Sequence, residues 1–127
     1  MGRGILPLLV LLVLGALAAL VARRWLDVVE VRGRSMAPAL LPGDRLLVLR
    51  APARIGDVVL AFDPRNPGRE LIKRVTAIED SGITLHGDNP SASTDARTFG
   101  AIPTAAVNWR VVLRYWPFRR VGRRNLR

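Results

Sequence analysis

Lys73 is the single lysine in a chain whose other nineteen Lys/Arg positions are all arginine. It lies in the run Leu-Ile-Lys-Arg-Val, residues 71–75. Side chains of an extended strand alternate between its faces, so Leu71, Lys73, Val75 and Ala77 share one side and the ammonium is drawn toward an apolar interior. Desolvation disfavours the charged form of a lysine, and a neutral amine is a competent general base. An arginine stays protonated and has no such use. A GC-rich coding bias accounts for the excess of arginine, but not for the apolar setting of the one lysine. The base needs a hydroxyl to activate, and Ser35 is the best-placed one. It sits in Gly-Arg-Ser-Met-Ala-Pro-Ala-Leu, residues 33–40, a glycine-containing loop. Serine with lysine is a known variant of the nucleophile–base pair. A third polar segment, Gly-Asp-Asn-Pro-Ser-Ala-Ser-Thr-Asp-Ala-Arg-Thr-Phe-Gly, covers residues 87–100.

Competing chemistries have less behind them. His86 near Asp88 invites a Ser–His–Asp reading, yet His86 follows Ile83 and Leu85 as an ordinary strand-end residue. Asp57, Asp63 and Asp88 have no accompanying His/Glu cluster to complete a metal site. The chain has no cysteine, which excludes disulfide scaffolds, zinc ribbons, iron–sulfur clusters and thiol nucleophiles. No metal and no cofactor is expected.

The elements that must position these residues are short strands. Val28–Arg32, Asp44–Arg50, Gly56–Asp63, Glu70–Glu79, Gly82–His86 and Val107–Tyr115 are rich in β-branched residues. They are punctuated by the turn signals Pro42–Asp44, Arg54–Asp57 and Glu79–Gly82. Regular short strands without helical stretches predict a mainly β unit, a small coiled sheet or open barrel. Before it, Ile5 to Ala22 carry no charge, and such a helix reaches ~27 Å at ~1.5 Å per residue, close to the thickness of a bilayer core. A cleaved signal peptide ending at Leu-Val-Ala is the alternative. The length of the run and Trp25 at an interfacial position favour a retained anchor. The expected organisation is an anchor at 1–24, a catalytic domain at 25–116 and a basic tail at 117–127, frayed and resting on anionic lipid.

With 127 residues the chain holds one domain beyond the anchor, and with half of them hydrophobic it is not wholly disordered. The net charge of +10 suits a polyanionic partner, either nucleic acid or an anionic membrane surface. A basic nucleic-acid-binding module is the rival class. Against it, there is no helix-turn-helix and no aromatic-rich sheet signature.

Taken in order, the segments resemble the motif boxes of the type I signal peptidase family, the S26-like serine–lysine membrane proteases. Ser35-Met36 with Pro38 and Leu40 resembles the nucleophile box, and Gly56-Asp57-Val58-Val59 the structural box after it. Lys73-Arg74-Val75 resembles the base box. Gly87-Asp88-Asn89 with Ser93, Asp95, Arg97 and Gly100 resembles the last. Ala39 departs from the usual threonine and Ala96 from a common serine, neither of them a reacting group. The resemblance implies Ser35 as nucleophile, Lys73 as base and Ser93 as the group that orients Lys73. Gly33 stands where some members carry an oxyanion-hole serine, so stabilisation falls to backbone N–H groups, chiefly that of Ser35. Asp95 with Arg97, and Arg74 with Asp88, are expected as structural ion pairs, and Met36, Leu40 and Ile72 match the lining of a pocket for small residues. The implied partners are a precursor protein carrying a signal peptide or propeptide, and the lipid bilayer, with no nucleic acid and no metal.

Within the family, residues 87–103 and 110–117 are similar to short peptidases assigned to maturation of nickel-type superoxide dismutase. A self-cleaving regulator of the repressor type shares a Ser–Lys dyad but lacks the anchor and the Gly-Asp-Asn segment. The family norm implies an extracytoplasmic catalytic domain. Arg23, Arg24, Arg32 and Arg34 after the anchor, against Arg3 before it, point the domain inward by the positive-inside rule.

Overall fold

A computed structural model describes residues 2–92, 99–122 and 126. Helix α1 spans Ile5–Trp25, three residues beyond the uncharged run, because Arg23 and Arg24 continue the helix and complement the negative end of its dipole. None of its residues is buried, and it is long and apolar enough to cross a membrane. The chain passes from Trp25 into the first strand without a loop.

Six strands follow: β1 (Leu26–Glu30), β2 (Arg45–Arg50), β3 (Val58–Asp63), β4 (Asn66–Glu79), β5 (Gly82–His86) and β6 (Trp109–Trp116). They form one sheet in the order β1-β2-β6-β3-β4-β5, every pairing antiparallel. The mainly β expectation holds. β1 lies closer to the helix than expected, since Leu26 pairs with Leu49 and Glu30 with Arg45. That register releases Val31 to Gly33 to begin the loop that carries Ser35.

β4 is also longer than expected, reaching back to Asn66 through Pro67 and Gly68 despite their turn character. The cause is a tight hairpin in which Asp63 faces Asn66. The Asp63 carboxylate accepts the Arg65 backbone N–H at 2.8 Å and the Arg65 guanidinium at 3.2 and 3.1 Å. These bonds, more than the charge of Arg65 or Arg69, hold the carboxyl below its ordinary range.

β3 explains why the sheet must coil. Val58 and Leu60 face a core shared with Val31, Met36, Leu40, Leu46, Val48, Val111 and Leu126. Val59 and Ala61 face a second core with Val75, Ile83, Leu85, Ile102 and Val107. A strand buried on both faces reads as a continuous apolar run, as Val58–Ala61 does. Two described residues of the expected frayed tail are held to the domain: Gly122 pairs with Arg114, and Leu126 is buried in the first core.

Candidate active site

Burial on β4 alternates at Leu71, Lys73 and Val75, so the lysine stem enters the domain and is only 4% exposed. Ala77 does not continue the face, because a register shift between Val75 and Ala77 turns the strand. Ser35 is half-buried at the start of a tight turn, in which the Ala37 N–H donates to the Arg34 carbonyl at 3.1 Å and the Leu40 N–H to the Met36 carbonyl at 2.9 Å. Gly33 precedes it at φ +74, a left-handed conformation open to glycine, and has free space where a Cβ would stand. Ser35 and Lys73 line one cleft of about 310 Å³, together with Gly33, Met36 and Ile72. Three sequence segments that are far apart along the chain converge there: the β1 end running into the Ser35 loop, β4, and the region of Ala92.

Leu40 is an exception among the pocket candidates. It is fully buried in the first core and does not line the cleft, because the turn from Met36 directs it under the loop. Met36 is likewise buried but reaches the cleft, and its sulfur accepts the Asp88 N–H at 3.5 Å. Ser93, Asp95 and Arg97 lie outside the described residues.

The Gly-Asp-Asn segment holds the Ser35 loop from one side. The Asn89 N–H donates to the Ser35 carbonyl at 2.8 Å, and Asn89 Nδ2 donates to the Arg34 carbonyl at 3.0 Å. Asp88 is in turn fixed by Arg74, whose Nε and Nη2 donate to its two carboxylate oxygens at 2.9 and 2.8 Å. Arg74 Nη1 also donates to the Gly56 carbonyl at 2.8 Å, and Gly56 and Asp57 bond to the Val75 backbone. The Asp88 hydrogen bonds raise the Arg74 guanidinium above its ordinary value against the opposing effect of burial. The expected Arg74–Asp88 pair is therefore present, and it ties the lysine strand to the serine loop through Asn89. Asp88→Asn breaks a charge-assisted pair and is expected to lower unfolding stability by about 2 kcal/mol in denaturant titrations. An unchanged midpoint would show the pair to be dispensable.

The alternative chemistries do not assemble. His86 Nδ1 shares a 2.8 Å hydrogen bond with Thr76 Oγ1, while Asp88 is committed to Arg74. Asp63 pairs with Arg65 and Arg69, and Asp57 with Arg110. No group of metal-binding side chains occurs among the described residues.

Three residues escaped the sequence reading: Asp44, Arg114 and Arg120, joined around the far side of the same loop. Arg114 is the only charged residue of β6 that is buried, at 4% exposure. A single cation in Val-Val-Leu-Arg-Tyr-Trp was the available signal, of the same kind as that of Lys73.

A hydroxyl and an amine on one concave wall, backed by a rigid polar support, suit acyl transfer to serine. The model of the signal peptidase, peptidase S26, family matches residues 5–84, which include both groups. Mitochondrial ATP-independent inner membrane protease subunit 1a of Arabidopsis thaliana is 34% identical over 116 residues, covering 69% of this chain and 69% of the relative. Mitochondrial inner membrane protease subunit 1 of Xenopus tropicalis is 29% identical over 121 residues, 76% of this chain and 72% of that protein. The human protein of the same name is 28% identical over 120 residues, with 75% and 72% covered. A β domain behind an N-terminal apolar helix, a shared serine–lysine cleft and these matches together place the chain in the signal peptidase family, peptidase S26, as a peptidase.

Proposed function

We propose that this protein is a membrane-anchored serine endopeptidase that removes N-terminal signal peptides or propeptides from precursor proteins, cutting after small residues. The observation that carries the reading is the burial of Lys73 in the cleft that Ser35 lines. Ser35 Oγ transfers its proton to the neutral Lys73 Nζ and bonds to the substrate carbonyl carbon. The Ser35 backbone N–H donates to the oxyanion. The tetrahedral species collapses as the C–N bond breaks, and Nζ returns the proton to the leaving amine. Water then adds to the acyl-enzyme, giving one proton to Nζ; the ester bond breaks and Ser35 recovers its proton. Met36 and Ile72 border the site of the residue before the scissile bond. No cofactor takes part, and Ser93 is assigned the orientation of Lys73.

The anchor keeps this chemistry near lipid. β1 has five residues, so at ~3.3 Å per residue the cleft begins about 16 Å along the chain from the end of α1. That proximity, and the inner-membrane proteases among the relatives, favour precursors presented at a membrane over a soluble nickel-enzyme propeptide. The side of the membrane is assigned to the family's extracytoplasmic norm, against the flanking arginines.

The test is the full chain in lipid nanodiscs with a membrane-inserted preprotein, the product identified by N-terminal sequencing. One new terminus after a small residue is expected. Because only the neutral amine accepts the serine proton, kcat/KM should rise with pH and level off, with a midpoint below the ~10.4 of a free lysine. A flat profile from mildly acidic to alkaline pH, or no cleavage at all, would overturn the proposal.

A further inference from the structure

We propose that Arg120, near the end of the chain, is a positioning residue for Ser35: with Arg114 it grips Asp44 and the carbonyls of Pro38 and Ala39, and so fixes the loop that carries the nucleophile. This rests on the reading of Ser35 as the nucleophile.

The loop from Val31 to Asp44 is closed at its base by backbone bonds. The Val31 N–H donates to the Asp44 carbonyl at 2.8 Å, and the Gly43 N–H to the Val31 carbonyl at 2.9 Å. Inside it, the turns from Arg34 to Leu40 place the Ala39 carbonyl just beyond the Ser35 turn. That carbonyl accepts Arg114 Nη1 at 2.9 Å and Arg120 Nη2 at 3.3 Å, and the Pro38 carbonyl accepts Arg120 Nη2 at 3.4 Å. Both guanidinium groups meet on Asp44, Arg120 Nη1 at 2.9 Å from each carboxylate oxygen and Arg114 Nη1 at 3.4 Å from one. Asp44 also accepts the Leu41 N–H at 3.0 Å.

Charge shows why this is more than a structural pair. Asp44 is 2% exposed and Arg114 4%, so one carboxylate already suffices to neutralise the buried arginine. A second guanidinium adds repulsion: the Arg114 group is pushed below its ordinary value by burial and then by Arg120. What Arg120 supplies in exchange is a set of N–H donors aimed at the loop carbonyls. The chain end is also shaped to deliver them. Arg114 Nε donates to the Arg120 carbonyl, and Arg114 and Gly122 exchange backbone bonds at 3.0 Å. With Asn89 on the other side, the Ser35 turn is held between two clamps. Small displacements of a reacting group cost large factors in rate.

The experiment uses the full chain in nanodiscs with the membrane-inserted preprotein, comparing Arg120→Met, Arg120→Lys and, at the exposed neighbouring position, Arg119→Met. Arg120→Met is expected to lower kcat about ten-fold or more with KM within about two-fold of wild type, since positioning acts on the chemical step. Added guanidinium salt at millimolar concentration should restore part of that rate. Arg120→Lys should fall between the two, and Arg119→Met should match wild type. Thermal melts run alongside. If Arg120→Met lowers only the melting temperature while kcat well below it is unchanged, Arg120 is merely structural and the proposal fails. Should Arg120→Met not fold, an unchanged kcat in Arg120→Lys overturns it and a lowered kcat at wild-type KM supports it. Ser35→Ala in the same assay separates the two readings: cleavage that survives it removes the nucleophile, whereas its loss beside an unaffected Arg120→Met removes only the clamp.

Discussion

Lys73→Arg and Ser35→Ala are each expected to abolish precursor cleavage, by about 10³-fold or more, while the domain stays folded. An arginine at position 73 keeps much of the length and a nitrogen head group, yet it cannot take the serine proton because it does not lose its own. Lys73→Met is the companion variant. It matches the stem that lies between Leu71 and Val75 on the buried face of β4 and removes only the amine. Folding should tolerate it, since the replacement is apolar and close in length to the lysine stem on that buried face. The assay is cleavage of a preprotein by the full chain in nanodiscs, followed by mass spectrometry, with circular dichroism as the control for folding. Turnover in Lys73→Arg would end the lysine-base mechanism. His86→Ala should keep most activity, because His86 bonds to Thr76 and does not line the cleft.

The largest loss of stability is expected from Gly82→Ala. Gly82 opens β5 at φ +129, where an L side chain is strained, and an added Cβ would lie 2.4 Å from the Ile102 carbonyl oxygen. That oxygen is backbone and cannot move alone. It accepts the Ile83 N–H at 2.7 Å, while the Ile102 N–H returns a bond to Ile83 at 2.8 Å. Both isoleucines are 1% exposed in the second core, so relieving the clash means shifting packed side chains. Strain of this type costs about 1–3 kcal/mol, and the displaced core adds to it, so a total of about 3–5 kcal/mol is expected. Each kcal/mol lowers the melting temperature of a domain this size by roughly 4–8 °C. Gly43→Ala is the comparison: it is also left-handed, at φ +91, but has nothing within 4 Å of the added carbon. It should lose only the strain. Equal melting temperatures for the two variants would contradict the packing of Ile102 against β5.

Much of this protein is legible without coordinates. The uncharged run from Ile5, the alternation at Leu71, Lys73 and Val75, and the turn signals around Gly43, Gly56 and Gly82 are local properties of the chain. Local periodicity is what dictates a helix or strand and the face a side chain takes. The type of Lys73 is equally local, and the proposed base role rests on it, because an arginine does not lose its proton. Pairing of distant elements is not local, and there the tertiary structure decided. The two-residue shift of β1 follows from its register with β2, and the extension of β4 through Pro67 and Gly68 follows from the Asp63 turn. Leu40 and Met36 are both apolar loop residues, and only the turn between them separates a core residue from one that reaches the cleft. The basic chain end illustrates the limit most clearly. Its arginines read as a frayed tail resting on anionic lipid, since charge density points to a polyanion and says nothing about partners within the fold. Arg120 acquires a role only because the fold returns it to Asp44 and Ala39, residues more than seventy positions earlier in the chain.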